Sequence, residues 1–333
     1  MLRLPPVEVA TPESLPEALR LLSGPPEGAL PLGGGTDLLV ALKQGHHAGA
    51  RLVSLARLGL SGIRQDPAGW RIGAATTLWE IARWEPDGAL AVVPAAARLV
   101  AAPPIRSRAT LGGNLCLDTR CWFYNQSAFW RSGRAPCFKA GGEVCHVAPG
   151  GATCHSVHQA DLPPGLIALG ARVEIQGPAG TRTADLSDLY TGDGCAPLAL
   201  GPGEVVTAAL VPSPPAAAGA AYEKLRMRHA LDFAAASAAV YLERDGARCA
   251  TARVVLGGLG QQPIRVPGAE QALTGSGLEP EALAAAAEAA AAAARPAKNT
   301  DLTPAYRRRM AGVLVKRAAA RAWDQAARAE EAR

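Results

Sequence analysis

The sequence is poor in aromatic side chains and lacks a long uncharged apolar run. Only 15 of its 333 residues are aromatic: six Trp, five Tyr and four Phe. No stretch of about 18 uncharged apolar residues occurs, which excludes a transmembrane helix. The N-terminal segment carries Pro5, Pro6 and Glu8 where a signal peptide would have an apolar stretch. We therefore expect a cytoplasmic protein with no membrane partner.

A strong charge of one sign is also missing. The 34 basic and 29 acidic residues leave a net charge of +5, and the basic residues are spread along the chain. Their one dense cluster, Arg307-Arg308-Arg309, has no interleaved aromatic residues, so a nucleic-acid partner is not expected. A hydrophobic content of 49% with 19% charged residues excludes intrinsic disorder and collagen-like structure. The length predicts roughly two domains.

Short units of strand and helix alternate in the predicted first third of the chain, which indicates an α+β or α/β domain. We predict helices over 11–23 (with Thr11 as N-cap), 38–42, 77–83, 90–100, 280–294 and 303–328. We predict strands over 51–55, 70–72, 166–171, 172–176, 221–226, 232–239 and 252–259. Residues 211–220, rich in Pro and Ala, are expected to form a linker.

Two glycine-rich bends could approach a phosphate group. The first spans residues 31–38 and holds three consecutive glycines after an apolar run; the second spans residues 109–114. Consecutive glycines permit positive φ and close backbone approach, so that N–H groups can cradle a pyrophosphate. Neither bend matches G-x-G-x-x-G or a Walker loop, and each could be a structural turn. Together they favour an extended dinucleotide lying across both segments.

The cysteines are concentrated in one segment without regular apolar periodicity. Five of the seven lie between residues 116 and 154, namely Cys116, Cys121, Cys137, Cys145 and Cys154. No C-x2-C pair occurs, so classical zinc-ribbon and bacterial ferredoxin patterns do not fit. In an unexported chain a metal site is expected before a disulfide framework. From spacing alone, a [4Fe–4S] cluster, a zinc site that includes His146 or His155, and unligated thiols all remain open. The other two thiols, Cys195 and Cys249, are expected to be unrelated to this segment.

Five segments together resemble the FAD-binding subunits of the molybdenum hydroxylase family, which includes xanthine dehydrogenase and carbon monoxide dehydrogenase. They occur in the family's order across nearly the whole chain: Leu32–Asp37, Ile72–Thr77, Ile105–Asn114, Asp161 with Leu166–Ala171, and Tyr222–Lys224 before Arg228 and Asp232. The resemblance implies an α+β fold. A two-part FAD-binding domain of the vanillyl-alcohol-oxidase (PCMH) type would cover residues 1–213. A C-terminal α+β domain of the carbon monoxide dehydrogenase flavoprotein type would cover residues 214–333.

The same resemblance implies the contacts with FAD. The loop at 31–38 would hold the pyrophosphate. The implied cofactor-binding residues are Pro31, Leu32, Gly33, Gly34, Gly35, Thr36, Asp37, Leu38, Val100, Thr110, Gly113, Asn114, Asp161, Val206 and Lys224. The strand that carries Lys224 could, without this context, equally be a solvated strand face.

The cysteine-rich segment 116–160 is an insertion relative to most of the family, between the motifs at Asn114 and Asp161. In this feature the chain resembles the flavin (β) subunit of 4-hydroxybenzoyl-CoA reductase, which carries an additional [4Fe–4S] cluster. The resemblance implies four metal ligands, Cys121, Cys137, Cys145 and Cys154, and leaves Cys116 free. It implies electron transfer from ferredoxin through this cluster and FAD to [2Fe–2S] and molybdenum centres on two partner subunits, in a dimerised heterotrimer. No residue of this chain would be catalytic in the dehydroxylation of 4-hydroxybenzoyl-CoA to benzoyl-CoA.

Two other functions remain open at this stage. The chain could be the FAD subunit of another purine, aldehyde or aromatic hydroxylase that delivers electrons to NAD or a quinone. It could also be a zinc-stabilised binding module without flavin. The insertion speaks against the first, because such enzymes generally lack it, and the order of the motifs speaks against the second.

Overall fold

The computed structural model describes residues 2–24, 28–47, 51–300 and 302–331. Within these ranges the strands are β1 (Glu8–Ala10), β2 (Ala29–Leu32), β3 (Arg51–Ser54), β4 (Ile63–Asp66), β5 (Gly69–Gly73), β6 (Arg172–Gly177), β7 (Gly180–Asp185), β8 (Val205–Pro212), β9 (Ala218–Leu225), β10 (Ala236–Asp245), β11 (Arg248–Gly257) and β12 (Ile264–Arg265). The helices are α1 (Leu15–Leu22), α2 (Leu38–Lys43), α3 (Leu78–Arg83), α4 (Val92–Arg98), α5 (Pro103–Arg106), α6 (Leu111–Leu115), α7 (Ala128–Ser132), α8 (Leu162–Ala168), α9 (Pro267–Leu273), α10 (Pro280–Ala293) and α11 (Pro304–Glu331). None of them, in the residues described, is long and apolar enough to cross a membrane.

The described strands form three sheets. The N-terminal sheet is parallel, in the order β1-β3-β2. The second is antiparallel, in the order β4-β5-β8-β6-β7, and the third is antiparallel, in the order β12-β11-β10-β9. The chain crosses from the second sheet to the third between β8 and β9. The first two sheets, with α1–α8, therefore precede the third sheet and α9–α11 in the chain.

Small side chains explain how so few aromatic residues build two sizeable cores. One core lies among the second sheet, helices α3, α4, α6 and α8, and the face of the third sheet that carries Tyr222, Tyr241 and Val255. The other lies between the third sheet and α9–α11, where Ala286 and Ala290 of α10 are fully buried. Gly219 of β9 shows how closely the layers approach, because a Cβ there would overlap the carbonyl oxygen of Ala322 in α11. Alanine and glycine thus allow the layers to pack at short distances, so that large side chains are not needed to fill the cores.

The structure confirms most of the predicted elements and corrects three. Residues 166–171 were predicted as a strand, but Leu162–Ala168 form α8. This helix is buried on nearly every side, so apolar residues occupy almost all of its positions. The sequence therefore shows no spacing of 3.6 residues that would identify it as a helix. Helix α1 is capped by Ser14, whose Oγ accepts from the N–H of Glu17, and not by Thr11. The predicted linker 211–220 is shorter than expected, because β8 reaches Pro212 and β9 begins at Ala218, which leaves residues 213–217 as the connection.

Candidate functional site

A large cleft opens between the ends of the first two sheets. Its cavity volume is about 480 Å³. Three chain segments supply its walls: the loop after β2 with Gly33 and Gly34, the turn after β5 with Ala74 and Ala75, and helix α6 with Gly112 and Gly113. The far wall comes from the segment that enters β8, with Val205 and Val206. The volume and the glycine-lined wall suit an extended ligand such as a dinucleotide.

The two glycine bends predicted from the sequence lie against each other in this cleft. A Cβ at Gly34 would overlap the carbonyl oxygen of Arg108, and a Cβ at Gly33 would lie 2.9 Å from Thr110 Oγ1. Only glycine permits this approach. Among the described residues, the amide N–H groups of 34–38 have no acceptor within the protein. A run of free amides in such a bend is a site for the oxygens of a phosphate group.

Thr110 holds the second bend in place. It is the N-cap of α6, and its Oγ1 accepts from the N–H of Gly113 at 3.2 Å. Thr110 also pairs through its backbone with Thr77, which caps α3 in the same manner. The cap of α3 is reciprocal, because Glu80 Oε2 accepts from the amide of Thr77 at 2.8 Å. Two helix starts therefore meet at one wall of the cleft.

The sequence analysis missed several polar residues that line the cleft. They are Ser61, Thr77, Glu80, Ser107, Arg108 and Glu204. Thr77 belongs to a motif that had been noticed, Ile72–Thr77, and this could have identified it. Glu204 had no sequence signal. Arg182 forms two hydrogen bonds of 2.7 Å with its carboxylate and lowers its pKa to about 2. The cleft therefore holds an anionic acceptor suited to hydroxyl or amino groups of a nucleotide.

The predicted cofactor-binding residues divide into two groups. Those that line the cleft are Pro31, Gly33, Gly34, Thr110, Gly113 and Val206. Those outside its lining are Leu32, Gly35, Thr36, Asp37, Leu38, Val100, Asn114, Asp161 and Lys224. The carboxamide oxygen of Asn114 accepts from the N–H of Leu162 at 3.2 Å, at the start of α8. The backbone carbonyl of Val100 accepts from Arg106 at 2.6 Å.

Asp161 and Lys224 form a buried ion pair. Lys224 Nζ lies 2.7 Å from Asp161 Oδ2, and the hydroxyl of Tyr222 donates to Oδ1 at 2.6 Å. Burial raises the pKa of Asp161, while the Lys224 ammonium opposes this rise. In this structure the two side chains bind each other, so their implied contact with FAD stays a prediction.

Four of the five cysteines in the insertion surround a second, smaller cavity. Cys121, Cys137, Cys145 and Cys154 all line a cavity of about 10 Å³. Cys116 is separate: it lines the large cleft, and burial raises its pKa to about 12. The sequence analysis missed that Cys195, expected to be unrelated, is also close. A Cβ on its neighbour Gly194 would lie 2.8 Å from Cys154 Sγ.

The small cavity offers four thiols, and in the described part of the chain they are not arranged around a metal ion. Among the residues described, no group of three or more His, Cys, Asp or Glu side chains is arranged to hold one metal ion. A tetrahedral zinc ion needs its ligand atoms within about 2.0–2.3 Å of one point. Four thiols are also the donor set of an iron–sulfur cluster, which stays a prediction for this cavity. His146 is engaged elsewhere, since its Nε2 lies 2.9 Å from the carbonyl oxygen of Ala135.

Comparison with known proteins shows which protein family has this architecture. The family described as the FAD binding domain in molybdopterin dehydrogenase matches residues 5–214, and the carbon monoxide dehydrogenase flavoprotein C-terminal domain matches residues 220–322. The carbon monoxide dehydrogenase medium chain of Afipia carboxidovorans is 33% identical over 93% of this chain and 94% of its own length. The aldehyde oxidoreductase FAD-binding subunit of Escherichia coli is 34% identical over 74% of this chain and 80% of its own length.

Structural comparison agrees with these matches. A solved structure of carbon monoxide dehydrogenase from Hydrogenophaga pseudoflava superposes with a TM-score of 0.79 at 30% identity, covering 96% of this chain and 98% of that one. The predicted fold class, a flavin-binding domain followed by an α+β domain of the carbon monoxide dehydrogenase flavoprotein type, is confirmed. The chain belongs to the FAD-binding subunits of the molybdenum hydroxylase family, that of carbon monoxide dehydrogenase and xanthine dehydrogenase, and is an oxidoreductase subunit that binds FAD.

Proposed function

We propose that the chain is the FAD- and iron–sulfur-carrying β subunit of a molybdenum-dependent 4-hydroxybenzoyl-CoA reductase. One observation carries the proposal: the four cysteines of the insertion line one cavity, next to a flavin-binding architecture. The proposed ligands of a [4Fe–4S] cluster are Cys121, Cys137, Cys145 and Cys154. Bound FAD and the cluster would supply the redox chemistry, because both exchange electrons at potentials that the protein sets.

The chain's own residues would hold the two cofactors in a fixed relation. Asp37 of the first glycine bend forms an ion pair of 2.9 Å with Arg120, the residue before Cys121. Both side chains are more than two-thirds shielded from solvent. This ion pair links the proposed phosphate-binding loop directly to the cysteine insertion. The proposed flavin contacts are the residues that line the cleft, with the remaining members of the implied set as further candidates.

The proposed partners follow from the family. The relatives include chains named as the medium chain or a subunit of larger enzymes. We propose a heterotrimer with a molybdenum-cofactor subunit and a [2Fe–2S] subunit, dimerised and cytoplasmic, with ferredoxin as electron donor. Electrons would pass through this chain to the partner subunits, where 4-hydroxybenzoyl-CoA loses its hydroxyl group as water and becomes benzoyl-CoA. This chain would then contribute no residue that contacts the acyl-CoA.

Iron counting in the purified complex tests the cluster. We expect about four iron atoms per copy of this chain beyond those of the [2Fe–2S] subunit. The variant Cys145→Ser should lose them and keep FAD. Cys249→Ser is the matched control, because Cys249 is equally buried but lies in the core of the third sheet. Absence of the additional iron in the wild-type complex, or its loss in the control as well, would contradict the proposal.

A substrate comparison tests the rest. The complex should reduce 4-hydroxybenzoyl-CoA with reduced ferredoxin as donor. It should not oxidise carbon monoxide, an aldehyde or a purine with NAD or a quinone as acceptor. The reverse pattern would assign the chain to another hydroxylase of the family, which is the alternative function left open by the sequence.

A further inference from the structure

Glu204 brings a fixed carboxylate to the wall of the large cleft. Arg182 donates to it twice, from Nε to Oε1 and from Nη2 to Oε2, each at 2.7 Å. The amide N–H of Gly201 donates to Oε2 at 2.8 Å. The side chain is 20% exposed and lies against Gly177, where a Cβ would be 2.7 Å from Glu204 Cγ. These contacts hold the carboxylate in one orientation and stabilise its ionised form.

The hydrogen bonds leave one acceptor position on this carboxylate. An ionised carboxylate has about four lone-pair positions, two on each oxygen. Among the described residues, Arg182 and Gly201 occupy both positions of Oε2, and Arg182 occupies one position of Oε1. The second position of Oε1 is therefore available to a donor group of a ligand in the cleft.

The surroundings of Glu204 indicate which part of a dinucleotide lies beside it. Apolar side chains line the cleft near this residue, namely Leu55, Leu198, Leu200, Val205 and Val206. Leu55 packs with Val205 in one hydrophobic cluster, and Leu200 packs against the cluster that contains Val206. An apolar wall of this kind suits the face of an aromatic ring, whereas the glycine bends suit phosphate groups. The carboxylate would then meet the polar edge of that ring.

Of the two rings of FAD, adenine fits this wall better. Its 6-amino group projects from the ring edge and carries two protons that a carboxylate can accept. The only ring N–H of the oxidised isoalloxazine, at N3, lies between two carbonyl oxygens, and a carboxylate would repel both. A carboxylate beside the isoalloxazine would also oppose the negative charge that this ring gains on reduction.

We propose that Glu204 selects the adenine half of FAD, by accepting a hydrogen bond from the adenine 6-amino group while the purine ring lies against the apolar wall. Glu204 is thus a specificity-determining residue of the cofactor site. A site built to hydrogen-bond one group of its ligand rejects an analogue without that group, because the buried acceptor is then left unpaired. This inference rests on FAD binding by the family and is independent of the proposed reductase.

Binding of cofactor analogues to the intact complex, after removal of its flavin, tests the inference. Flavin fluorescence measures the Kd of FAD and of flavin hypoxanthine dinucleotide, in which a carbonyl oxygen replaces the adenine 6-amino group. We expect the wild-type complex to bind FAD at least about tenfold more tightly than the analogue. In Glu204→Gln we expect this ratio to fall to about one, because the Gln side-chain NH2 group can donate to the carbonyl oxygen of the analogue.

Glu174→Gln is the matched control. Glu174 is 21% exposed and forms an ion pair of 2.7 Å with Arg71 in the same sheet, but it is not among the described residues that line the cleft. This variant should keep the wild-type ratio. In Glu204→Asp the carboxylate is withdrawn by one methylene group, so the ratio should fall here too, and this variant decides if Glu204→Gln binds no flavin.

The ratio of the two affinities separates recognition from a structural role. If Glu204 only supports the fold, its variants weaken both cofactors equally and keep the ratio, which would overturn the inference. A wild-type ratio near one would also overturn it. A third cofactor, FAD with 2′-deoxyadenosine in place of adenosine, tests the ribose. If Glu204→Gln removes discrimination against this cofactor and not against the hypoxanthine analogue, Glu204 binds the ribose, and the assignment to adenine is wrong.

Discussion

The ion pair between Asp161 and Lys224 joins the two parts of the chain. Asp161 precedes α8, and Lys224 lies on β9 of the third sheet. Their side chains are 5% and 1% exposed, and Lys224 Nζ also donates to the carbonyl oxygens of Leu99 at 3.0 Å and Asp232 at 3.1 Å. We predict that Lys224→Met lowers the free energy of unfolding by about 3–5 kcal/mol, the usual cost of removing one partner from a buried pair.

The magnitude follows from what the variant leaves behind. Asp161 would keep only the Tyr222 hydroxyl among its present side-chain partners, and two carbonyl oxygens would lose their ammonium donor. An unsatisfied buried polar group costs about 1–3 kcal/mol, and a charged one more. Burial already raises the pKa of Asp161, and loss of the Lys224 charge would raise it further. The variant can therefore protonate this carboxyl group, and we expect a smaller loss of stability at acidic pH.

Urea denaturation of the FAD-free chain, followed by tryptophan fluorescence, measures this loss. Arg228→Met is the control, because Arg228 is 69% exposed and lies 3.8 Å from Asp232. An exposed pair of this kind contributes at most about 1 kcal/mol. The reasoning is refuted if Lys224→Met is as mild as the control. It is also refuted if Lys224→Met leaves the stability of the FAD-free chain intact and weakens only flavin binding, since Lys224 would then act as a cofactor contact.

Two further predictions concern single residues. Gly34→Ala should abolish FAD binding, because the Cβ of the new alanine would overlap the carbonyl oxygen of Arg108 and force the two glycine bends apart. The flavin absorbance of the purified variant measures this, and full flavin occupancy would contradict the prediction. His158→Phe should stabilise the protein by about 1 kcal/mol at neutral pH. His158 is fully buried, and neither of its ring nitrogens has a hydrogen-bond partner among the described residues. A Phe side chain would remove these unpaired nitrogens and keep the edge contact with Tyr190. Burial lowers the pKa of His158 to about 4, so the unfolded chain takes up a proton at higher pH than the folded one, and wild-type stability falls between pH 6.5 and about 4. The stabilising effect of His158→Phe should therefore grow as the pH falls through that range, and urea denaturation at pH 7 and pH 5 that shows no such growth would contradict it.

Local sequence patterns predicted the parts of the fold whose causes are local. The amphipathic stripe of α1, the glycines after β2 and the long C-terminal helix each leave a pattern within a few residues. Helix α8 left none, because Leu162 and Leu166 are surrounded by core on both sides. The two glycine bends were predicted as separate candidates, and their contact through Gly34 and Arg108 became visible only in three dimensions.

Residues of the site could be predicted from the sequence where they lie in the same segment of the chain. The four cysteines stand within 34 positions of each other in the sequence and line one cavity, whereas their role as metal ligands, which the resemblance implied, stays a prediction. Cys195 was missed because the segment that carries it returns to Cys154 from some 40 positions further along the chain. Glu204 was missed for a similar reason: its role at the cleft depends on Arg182 in a neighbouring strand. Contacts between distant segments of this kind have no signature in a single sequence.

The cysteine insertion is organised by more than the thiols. Its two limbs are joined to each other, because Arg120 and Val157 exchange two backbone hydrogen bonds, at 2.8 and 2.7 Å. The backbone carbonyl of His155 accepts from Asn299 at 2.7 Å, and Asn299 in turn accepts from the buried Arg307.

These contacts position the four sulfurs from opposite ends of the insertion. Arg120 precedes the first proposed ligand, Cys121, and His155 follows the last, Cys154. Cys154 is further fixed from the loop between β11 and β12, since its carbonyl oxygen accepts from Gln261 at 3.2 Å. The backbone thus brings the thiols around one cavity by its own hydrogen bonds. Because His155 and Gln261 link this cavity to the C-terminal part of the chain, the cysteine insertion depends on both parts being folded, and not on the flavin-binding part alone.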